Sequence, residues 1–417
     1  MRKKKILVFT DCYIFGGSER LMTFLLKNEI LSQNFNLLFG YRKFKEYEKG
    51  LKNEGLLGRE NNFPLILLSN RSLFHKINCI STYSFFKWLL KIPFFCLDFF
   101  KIYNLWNLYL FIRLLNRTKP DLIHINNGGY PGADTCNLLV LANYLSIKSK
   151  VIYQVNNQAF KRKNFLEIYV DKFINDHVNF FINASELAKE QLISKRNFDS
   201  EKILLVNNCV PLPDIKLSRA EVFQELNIPL DSFLIVQVAF LTERKGQKYL
   251  IDSIAELFNK GEFDLRSVFC AFVGSGEDKE LLSRYIIKLG LSSNIFLLDY
   301  RENSEDYISA CDLFVLPSVK DEDMPLVLLS ALGYGKAIIA TDFAGISQAI
   351  KSDINGILIN KDKNLLTNNL VKSILKLYKS HTLRNILGEN AQKSYLEYSP
   401  DMYGKSLKKI YERSLIY

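Results

Sequence analysis

This chain alternates short, continuously apolar runs with longer amphipathic stretches, and the alternation limits its fold more than any other feature. The first run, KILVFT at 5–10, leads into a glycine-containing loop and then a helical pattern from Glu19 to Ile30. Further runs of the same kind are NLLFG, PLILLS, DLIHIN, VIYQV, FFINA and ILLVN. Short runs without polar alternation are typical of strands that helices cover on both faces. The pattern therefore predicts an α/β fold built on parallel sheets.

A break in this pattern divides the chain in two. Residues 208–232 contain three prolines and no buried-strand run, after which a second series begins: FLIVQVAF, SVFCAFVG, NIFLLD, LFVLPS and KAIIAT. At 417 residues, the chain is also too long for a single hydrophobic core. We predict two Rossmann-like, doubly wound domains that face a central cleft. The predicted ranges are 1–208 for the first domain, 209–232 for the linker, 233–383 for the second domain, and 384–417 for a C-terminal region whose helix crosses back to the first domain.

Composition narrows the cellular setting. Hydrophobic residues make up 48% of the chain and charged residues 24%, which is ordinary for a globular protein. Seven scattered cysteines without a CxxC pair favour reduced thiols over a disulfide framework or a zinc site. The basic start MRKKK runs directly into a strand, and no apolar stretch is long enough for a membrane-spanning helix. We therefore expect a cytoplasmic protein.

The segment 70–119 carries much of the basic excess. Between Arg71 and Lys119 there are eight Lys or Arg residues and a single acid, Asp98, among many aromatic residues, including Trp88 and Trp106. Basic and aromatic residues interleaved in this way suit a helix in an anionic membrane interface, so we expect contact with the inner face of the cell membrane. The alternative is a helix pair whose aromatic residues form a core and whose lysines are solvated. No RNA- or DNA-binding motif accompanies the segment, so nucleic acid is not an expected partner.

The most informative stretch runs from Leu313 to Gly345, LFVLPSVKDEDMPLVLLSALGYGKAIIATDFAG. A buried strand ends near Pro317, an acidic loop follows, and a helix opens near Pro325. The free N–H groups at such a helix start, here those of Leu326 and Val327, bind phosphate groups. Glu322 lies just before the helix, where a carboxylate can bind sugar hydroxyls or stabilise positive charge at an anomeric carbon. Taken alone, an acidic loop before a helix is more often simple capping.

The same stretch resembles the signature of retaining glycosyltransferases of family 4, which have the GT-B architecture. Glu322 falls on the first glutamate of the family's E-x7-E motif, and Ser330 stands where the second is expected. The resemblance implies that Glu322 contacts the donor sugar and acts in catalysis, and that position 330 binds the ribose. Met324, Leu326 and Val327 fall among the donor-binding positions. A serine reaches the ribose with a shorter, uncharged side chain.

Two further loops of the second domain resemble the family. VAFLTERKGQ at 238–247 keeps the motif's Lys245 and Gly246, has Phe240 in place of the usual arginine, and offers Arg244 as a second cation. Their positive charges are suited to stabilising a departing diphosphate. The resemblance also places the glycine loop with Gly274 and Gly276 at the donor, and Tyr300 and Arg301 against the nucleobase.

The first domain offers weaker matches. Gly16, Gly17 and Glu19 resemble the family's GGxE loop, where glycines let the backbone approach a donor phosphate or the acceptor. A plain tight turn is the alternative. His124 lies in a strand similar to the family's P-D-x-x-H-x-H, although such a histidine is often a core residue; Asn156 stands where the family frequently carries another histidine.

We therefore expect a glycosyltransferase that moves a sugar from a nucleotide-diphosphate sugar to a glycan or lipid-linked acceptor in cell-envelope polysaccharide synthesis. The resemblance implies retention of anomeric configuration, no cofactor beyond the co-substrate, and no metal, so the DED at 321–323 is not a metal site. A non-catalytic, sugar-nucleotide-binding subunit of a polysaccharide assembly complex is the alternative. It is favoured by the substitutions at 156, 240 and 330.

Overall fold

The computed structural model describes residues 2–70, 74, 84–99 and 101–416 of the chain. They form two compact units. The first unit contains Met1–Asn183, Ala188–Val206 and Gly404–Tyr417, and the second contains Ala184–Leu187 and Asn207–Tyr403. Each unit is built on one parallel sheet, so the predicted α/β class with two Rossmann-like domains is confirmed.

The first unit has a seven-stranded sheet in the order β3-β2-β1-β4-β5-β6-β7. Its strands are β1 Lys4–Thr10, β2 Phe35–Arg42, β3 Asn62–Leu65, β4 Leu122–Asn127, β5 Lys150–Val155, β6 Phe180–Asn183 and β7 Ile203–Leu205. Helices before and between them are α1 Gly17–Lys27, α2 Glu29–Asn34, α3 Lys45–Asn53, α4 Ser84–Phe99, α5 Ile102–Thr118, α6 Asp134–Leu145, α7 Leu166–His177 and α8 Glu186–Arg196, with a 3₁₀ turn at Ser200–Lys202.

The second unit has a six-stranded sheet in the order β10-β9-β8-β11-β12-β13. Its strands are β8 Phe233–Val238, β9 Val268–Val273, β10 Ile295–Leu298, β11 Leu313–Leu316, β12 Ala337–Thr341 and β13 Ile357–Ile359. Its helices are α9 Arg219–Leu226, α10 Gln247–Asn259, α11 Lys279–Lys288, α12 Ser304–Ala310, α13 Leu326–Gly333, α14 Ile346–Ala349, α15 Lys363–Lys379 and α16 His381–Ser394, with 3₁₀ turns at Glu243–Lys245 and Tyr395–Tyr398. The last helix, α17, spans Pro400–Ile416.

The apolar runs become strands because helices cover both of their faces. In β8 every residue is at most 8% exposed, including the apolar positions Leu234, Ile235 and Val236. Removing one such side chain from water contributes roughly 1.5–3 kcal/mol, which favours the strand over any exposed alternative. The same burial of β9 and β11 puts the sheet at the centre of the unit and leaves the polar loops at its edge.

The proline-containing range 209–232, which the sequence predicts as a linker, contains α9 and is grouped with the second unit. Ser218 caps this helix: its side chain accepts a hydrogen bond from the N–H of Glu221, whose carboxylate accepts one from the N–H of Ser218. Apolar side chains of α9, Val222 and Phe223, are buried. Sequence periodicity does not show this helix because it is only eight residues long.

The last helix, α17, begins in the second unit and continues into the first. Residues from Gly404 onward are grouped with the first unit, where the sequence analysis expects them. The hydroxyl oxygen of Tyr411 lies 2.7 Å from Nδ1 of His124. The Tyr411 ring also contacts the Phe35 ring edge-on. Gly404 approaches Asn28 so closely that an added Cβ would lie 2.3 Å from the amide oxygen. The end of the chain is therefore part of the first unit's core.

The basic and aromatic segment is helical where it is described, in α4 and α5; residues 71–73, 75–83 and 100 lie outside the described residues. Helix α5 buries Phe111 and Leu115 but exposes Leu105 and Trp106, at 69% and 45% respectively. The alternative that the apolar residues of this segment form a core thus holds for one face of α5, whereas the other face is exposed. Within the described ranges, no helix is both long and apolar enough to cross a membrane.

Candidate active site

The loops that follow the strands of the second sheet meet at one edge because all its strands are parallel. The strand order reverses direction between β8 and β11, so these two strands mark the topological switch point of the sheet. Crevices at such a reversal are the usual ligand sites of doubly wound sheets. Lys245 lies in the loop after β8, and Glu322 lies in the loop after β11.

Three glycines let these loops approach one another. Gly246, with φ +73, lies against Pro317: an added Cβ would be 2.1 Å from its carbonyl oxygen. A Cβ added to Gly274 would lie 2.1 Å from the carbonyl oxygen of Ala239, and one added to Gly276 would lie 2.2 Å from that of Leu241. Backbone packing between the loops after β8 and β9 therefore explains the predicted glycine loop without a ligand.

A buried charge cluster lies where the loops after β8 and β11 meet. The ammonium group of Lys245 is in direct contact with the carboxylate of Glu322, and these residues are only 8% and 6% exposed. Nη1 of Arg244 lies 3.5 Å from Oε1 of Glu322 and donates a hydrogen bond to the carbonyl oxygen of Asp321 at 3.0 Å. The hydroxyl of Ser318 also reaches Oε1, at 3.5 Å. Two cations thus share one carboxylate.

The position of Lys245 is fixed by its backbone. Its carbonyl oxygen accepts a hydrogen bond from the Gln237 side chain on β8 at 2.8 Å, and the Val319 N–H donates to the carbonyl of Arg244 at 2.8 Å. Burial, followed by the neighbouring Arg244 guanidinium, lowers the pKa of Lys245 to about 7. The contact with Glu322 acts in the opposite direction. The desolvation of this nearly enclosed ammonium is the larger effect, so the pKa is lowered.

Helix α13 begins directly after this cluster. Pro325 is its N-cap, and the first hydrogen bonds to Pro325 O come from the N–H groups of Leu328 and Leu329. The N–H groups of Leu326 and Val327 precede these bonds and so lie at the open, positive end of the helix. Ser330 is 1% exposed, one turn further along.

Met324, also predicted at the donor, is 3% exposed, and its carbonyl oxygen accepts a hydrogen bond from the Asn208 side chain at 2.9 Å. This bond ties the loop before α13 to the start of the second unit.

Asp323 is a residue that the sequence analysis missed. It is 4% exposed, and neither carboxylate oxygen accepts a hydrogen bond of ordinary geometry from the residues that the structure describes. Burial raises its pKa to about 6, although the nearby Ser185 hydroxyl and Gly345 N–H favour the ionised form. Its burial was not expected because it belongs to the acidic run DED at 321–323, and runs of acidic residues usually face solvent.

Tyr300 and Arg301, predicted at the nucleobase, follow the edge strand β10. Tyr300 is 59% exposed, and the Arg301 guanidinium lies 3.0 Å from the carboxylate of Glu225 on α9. The structure therefore gives Arg301 an ion-pair partner within the unit, and it leaves the Tyr300 ring accessible to a ligand.

In the first unit, the predicted GGxE loop opens α1. The Gly16 N–H donates to Oε2 of Glu19 at 3.2 Å, and the Ser18 hydroxyl donates to the same carboxylate at 2.8 Å. Because its carboxylate accepts the Gly16 N–H, the buried Glu19 caps the start of the helix. A Cβ added to Gly17 would meet no described atom within 4 Å, so no packing contact requires glycine at this position.

The structure gives His124 a core position. It is fully buried, with Nδ1 bonded to the Tyr411 hydroxyl and Nε2 lying 3.0 Å from Oε1 of Gln154. Burial lowers its pKa to about 4, so it stays neutral at pH 7. We therefore read His124 as a core residue. Asn156, partly buried, donates to Oδ1 of Asn126 at 2.6 Å.

A second buried cluster in the first unit was not predicted. The carboxylate of Asp11, in the loop after β1, forms an ion pair with the Arg42 guanidinium of β2, and both side chains are 3% exposed. The Thr135 hydroxyl of α6 donates to the same carboxylate. Because its members are far apart in sequence, no local motif could have revealed this cluster.

Comparisons with known proteins agree with this architecture. Residues 218–394 match the family described as glycosyl transferases group 1. The chain is 26% identical over 291 residues to the Escherichia coli UDP-Gal:alpha-D-GlcNAc-diphosphoundecaprenol alpha-1,3-galactosyltransferase, an alignment that covers 67% of this chain and 73% of the relative.

Two solved structures are similar over nearly the whole length. Anabaena HepE in complex with UDP has a TM-score of 0.74 at 16% identity and covers 98% of this chain and 100% of its own. A glycosyltransferase from Rickettsia africae has a TM-score of 0.77 at 16% identity, with 100% and 99% covered. Lys245 and Glu322 both lie in the range that is similar to the group 1 glycosyl transferases, and the chain shares its fold of two Rossmann-like domains with these two structures.

Proposed function

We propose that this protein transfers a sugar from a nucleotide-diphosphate sugar to a glycan or lipid-linked acceptor, with retention of anomeric configuration and without a metal, as a family 4 enzyme. The observation that carries the proposal is the buried contact of Lys245 and Arg244 with Glu322 directly before the start of α13. A paired cation site beside a helix N-terminus suits a diphosphate, and a carboxylate beside it suits sugar hydroxyls.

The donor roles follow from charge. A nucleotide-diphosphate sugar brings about two negative charges, which the Lys245 and Arg244 side chains and the N–H groups of Leu326 and Val327 would bind. The diphosphate then competes with Glu322 for both cations. Glu322, relieved of its partners, turns its oxygens to the sugar. Binding of the diphosphate and orientation of the sugar are coupled in this way.

The chemistry needs stabilisation of the leaving diphosphate, on which negative charge accumulates as the anomeric C–O bond breaks. Preorganised cations in a buried site supply such stabilisation at little reorganisation cost. For retention, we propose that the leaving phosphate oxygen accepts the proton of the acceptor hydroxyl, and that the new C–O bond forms on the same face of the sugar. This route requires no separate protein base.

The acceptor side is assigned to the first unit, with Asn156 in the loop after β5, whereas Gly16 and Gly17 at the start of α1 are assigned to the donor. The E. coli relative acts on a diphosphoundecaprenol-linked sugar, and a lipid-linked acceptor is accordingly our proposal for this chain. Exposed Leu105 and Trp106 support contact of the 70–119 segment with an anionic membrane, at the cytoplasmic face. Synthesis of a cell-envelope polysaccharide is the pathway we propose.

The second candidate is a sugar-nucleotide-binding subunit without catalysis. Phe240, where the family has an arginine, is 54% exposed and contributes no charge. Ser330 stands where the family has a glutamate, and its shorter, uncharged side chain offers the ribose a weaker hydrogen bond. Against this candidate stands the position of Glu322 beside Lys245, because a carboxylate that stabilises positive charge at the anomeric carbon is needed for transfer and not for binding alone.

The test begins with a thermal-shift screen of nucleotide sugars, since a ligand at 100 times its Kd stabilises the folded state by about 2.7 kcal/mol. The donor found is then used to measure transfer and donor hydrolysis by wild type, Glu322→Gln and Glu243→Gln. Glu243 is the matched control because it lies in the neighbouring loop with its side chain 67% exposed. Loss of activity only in Glu322→Gln supports the enzyme. Donor binding without transfer or hydrolysis in the wild type supports the binding subunit.

A further inference from the structure

Six large apolar side chains are exposed within eleven residues before and at the start of α7. They are Phe160 at 57%, Phe165 at 70%, Leu166 at 58%, Ile168 at 49%, Tyr169 at 69% and Val170 at 43%. Single exposed apolar residues are ordinary, but a contiguous group marks an interaction surface. We refer to residues 160–172 as the α7 patch. It is separate in sequence from the 70–119 segment.

The backbone beneath the patch is held by a buried charge network. Arg196, 1% exposed, donates through Nε to the carbonyl oxygen of Phe160 at 2.7 Å and through Nη1 to Glu167 at 2.6 Å. Asp171, 2% exposed, accepts from Arg162 at 2.7 Å and from the Tyr130 hydroxyl at 3.0 Å. Groups bound this firmly fix the patch in one conformation, so its apolar side chains are presented in place before any partner arrives.

Positive charge surrounds the apolar side chains. Lys161, Lys163 and Lys172 are exposed, and within the described part of the chain none of them forms an ion pair. The two acids of the patch, Glu167 and Asp171, are already bound by arginines. The outer surface of the patch is therefore cationic and apolar at once, which complements an anionic lipid surface better than an uncharged protein groove.

We propose that the α7 patch docks on an anionic bilayer, with Phe165, Leu166 and Tyr169 entering the headgroup region and the three lysines contacting lipid phosphates. Helix α7 packs on α6, and α6 packs on α5, so the patch belongs to the same helical layer as the 70–119 segment. The surface is a second, preformed membrane contact. It does not depend on the donor site, because no residue of that site lies in the patch.

The experiment measures co-sedimentation of the full chain with phosphatidylcholine vesicles, with and without phosphatidylglycerol, in the absence of donor. The double variant Phe165→Ser/Tyr169→Ser is compared with Leu281→Ser/Ile287→Ser, which removes apolar side chains that are 61% and 64% exposed on α11 of the second unit. We expect the first variant to bind anionic vesicles roughly tenfold or more weakly, and the control to bind like the wild type.

A second variant, which removes lysine charges from the patch, distinguishes a lipid partner from a protein partner. Lys161→Gln/Lys163→Gln is expected to lose about tenfold in binding to anionic vesicles at low salt and little at high salt. Unchanged vesicle binding by both double variants, with melting temperatures like the wild type's, overturns the proposal. So does loss of self-association in sedimentation velocity without loss of vesicle binding, which identifies a contact between copies of the chain. Failure of either kind leaves the donor-site proposal untouched, because transfer is assayed separately on a water-soluble acceptor.

Discussion

Replacing Glu322 by Gln should have opposite effects on nucleotide binding and on sugar transfer. In the structure, the Glu322 carboxylate holds both Lys245 and Arg244, so a nucleoside diphosphate must compete with it for these cations. A charged hydrogen bond contributes roughly 1.5–3 kcal/mol, and glutamine gives up most of that competition. Since 1.4 kcal/mol is a factor of ten, we expect a nucleoside diphosphate without sugar to bind the variant about tenfold more tightly. Transfer should be lost, because glutamine cannot stabilise positive charge at the anomeric carbon.

The assay is titration calorimetry with UDP and with GDP, using whichever the thermal-shift screen selects. Lys245→Met is the converse variant: it removes the phosphate partner and should weaken binding by roughly 1.5–3 kcal/mol. Glu243→Gln controls for loss of charge in the neighbouring loop. Weaker or equal nucleotide binding by a folded Glu322→Gln protein would refute the competition, and with it the proposed release of Glu322 by the diphosphate.

Two further predictions concern stability. The folded-state pKa of Asp323 is raised to about 6 from 3.8, so the folded protein holds this proton more tightly and loses about 3 kcal/mol of stability as the pH rises from about 4 to 6. Asp323→Asn should not show this pH-dependent loss and should be more stable than the wild type above pH 6. Urea unfolding of both proteins at pH 4 and pH 8 tests this, and an equal change of stability with pH in the two proteins would contradict it. Gly274→Ala should lower the free energy of unfolding by about 2–4 kcal/mol, because at φ +144 the added Cβ would lie 2.1 Å from the Ala239 carbonyl oxygen. The control Gly261→Ala also has a positive φ, +69, but no described atom lies within 4 Å of the added Cβ, so it should cost only about 1 kcal/mol. Equal losses in the two variants would show that strain, and not the loop contact, sets the cost.

The fold could be predicted because its signal is local. Each apolar run is itself a buried strand, as KILVFT becomes β1 and FLIVQV becomes β8, and alternation with helices leaves few arrangements for parallel strands. Helix α9 escaped prediction because it is only eight residues long, so its buried residues Val222, Phe223 and Leu226 cover no more than one repeat of a helical pattern.

The site was predictable where a motif carries it and not where distant residues meet. Lys245 and Glu322 were found from two loops that lie 77 residues apart in the sequence, because each loop has its own pattern. His124 could not be assigned from its strand alone, since the partner that occupies its Nδ1, Tyr411, lies 287 residues further along the chain. Asp323 is buried like its neighbour Glu322, but it occupies no motif position, and a single sequence does not display burial.

The return of the last helix to the first unit has a consequence for synthesis on the ribosome. The second unit is a nearly continuous stretch, 207–403, and all of it is translated before the residues from Gly404 onward that complete the first unit. Until Tyr411 has been translated, the buried ring of His124 lacks its hydroxyl partner and Phe35 lacks its covering ring. The unit that is translated first is therefore the one finished last. A gene fragment that ends at residue 206 would leave it permanently incomplete, whereas one that joins 404–417 directly to residue 206 would restore its missing strip of core.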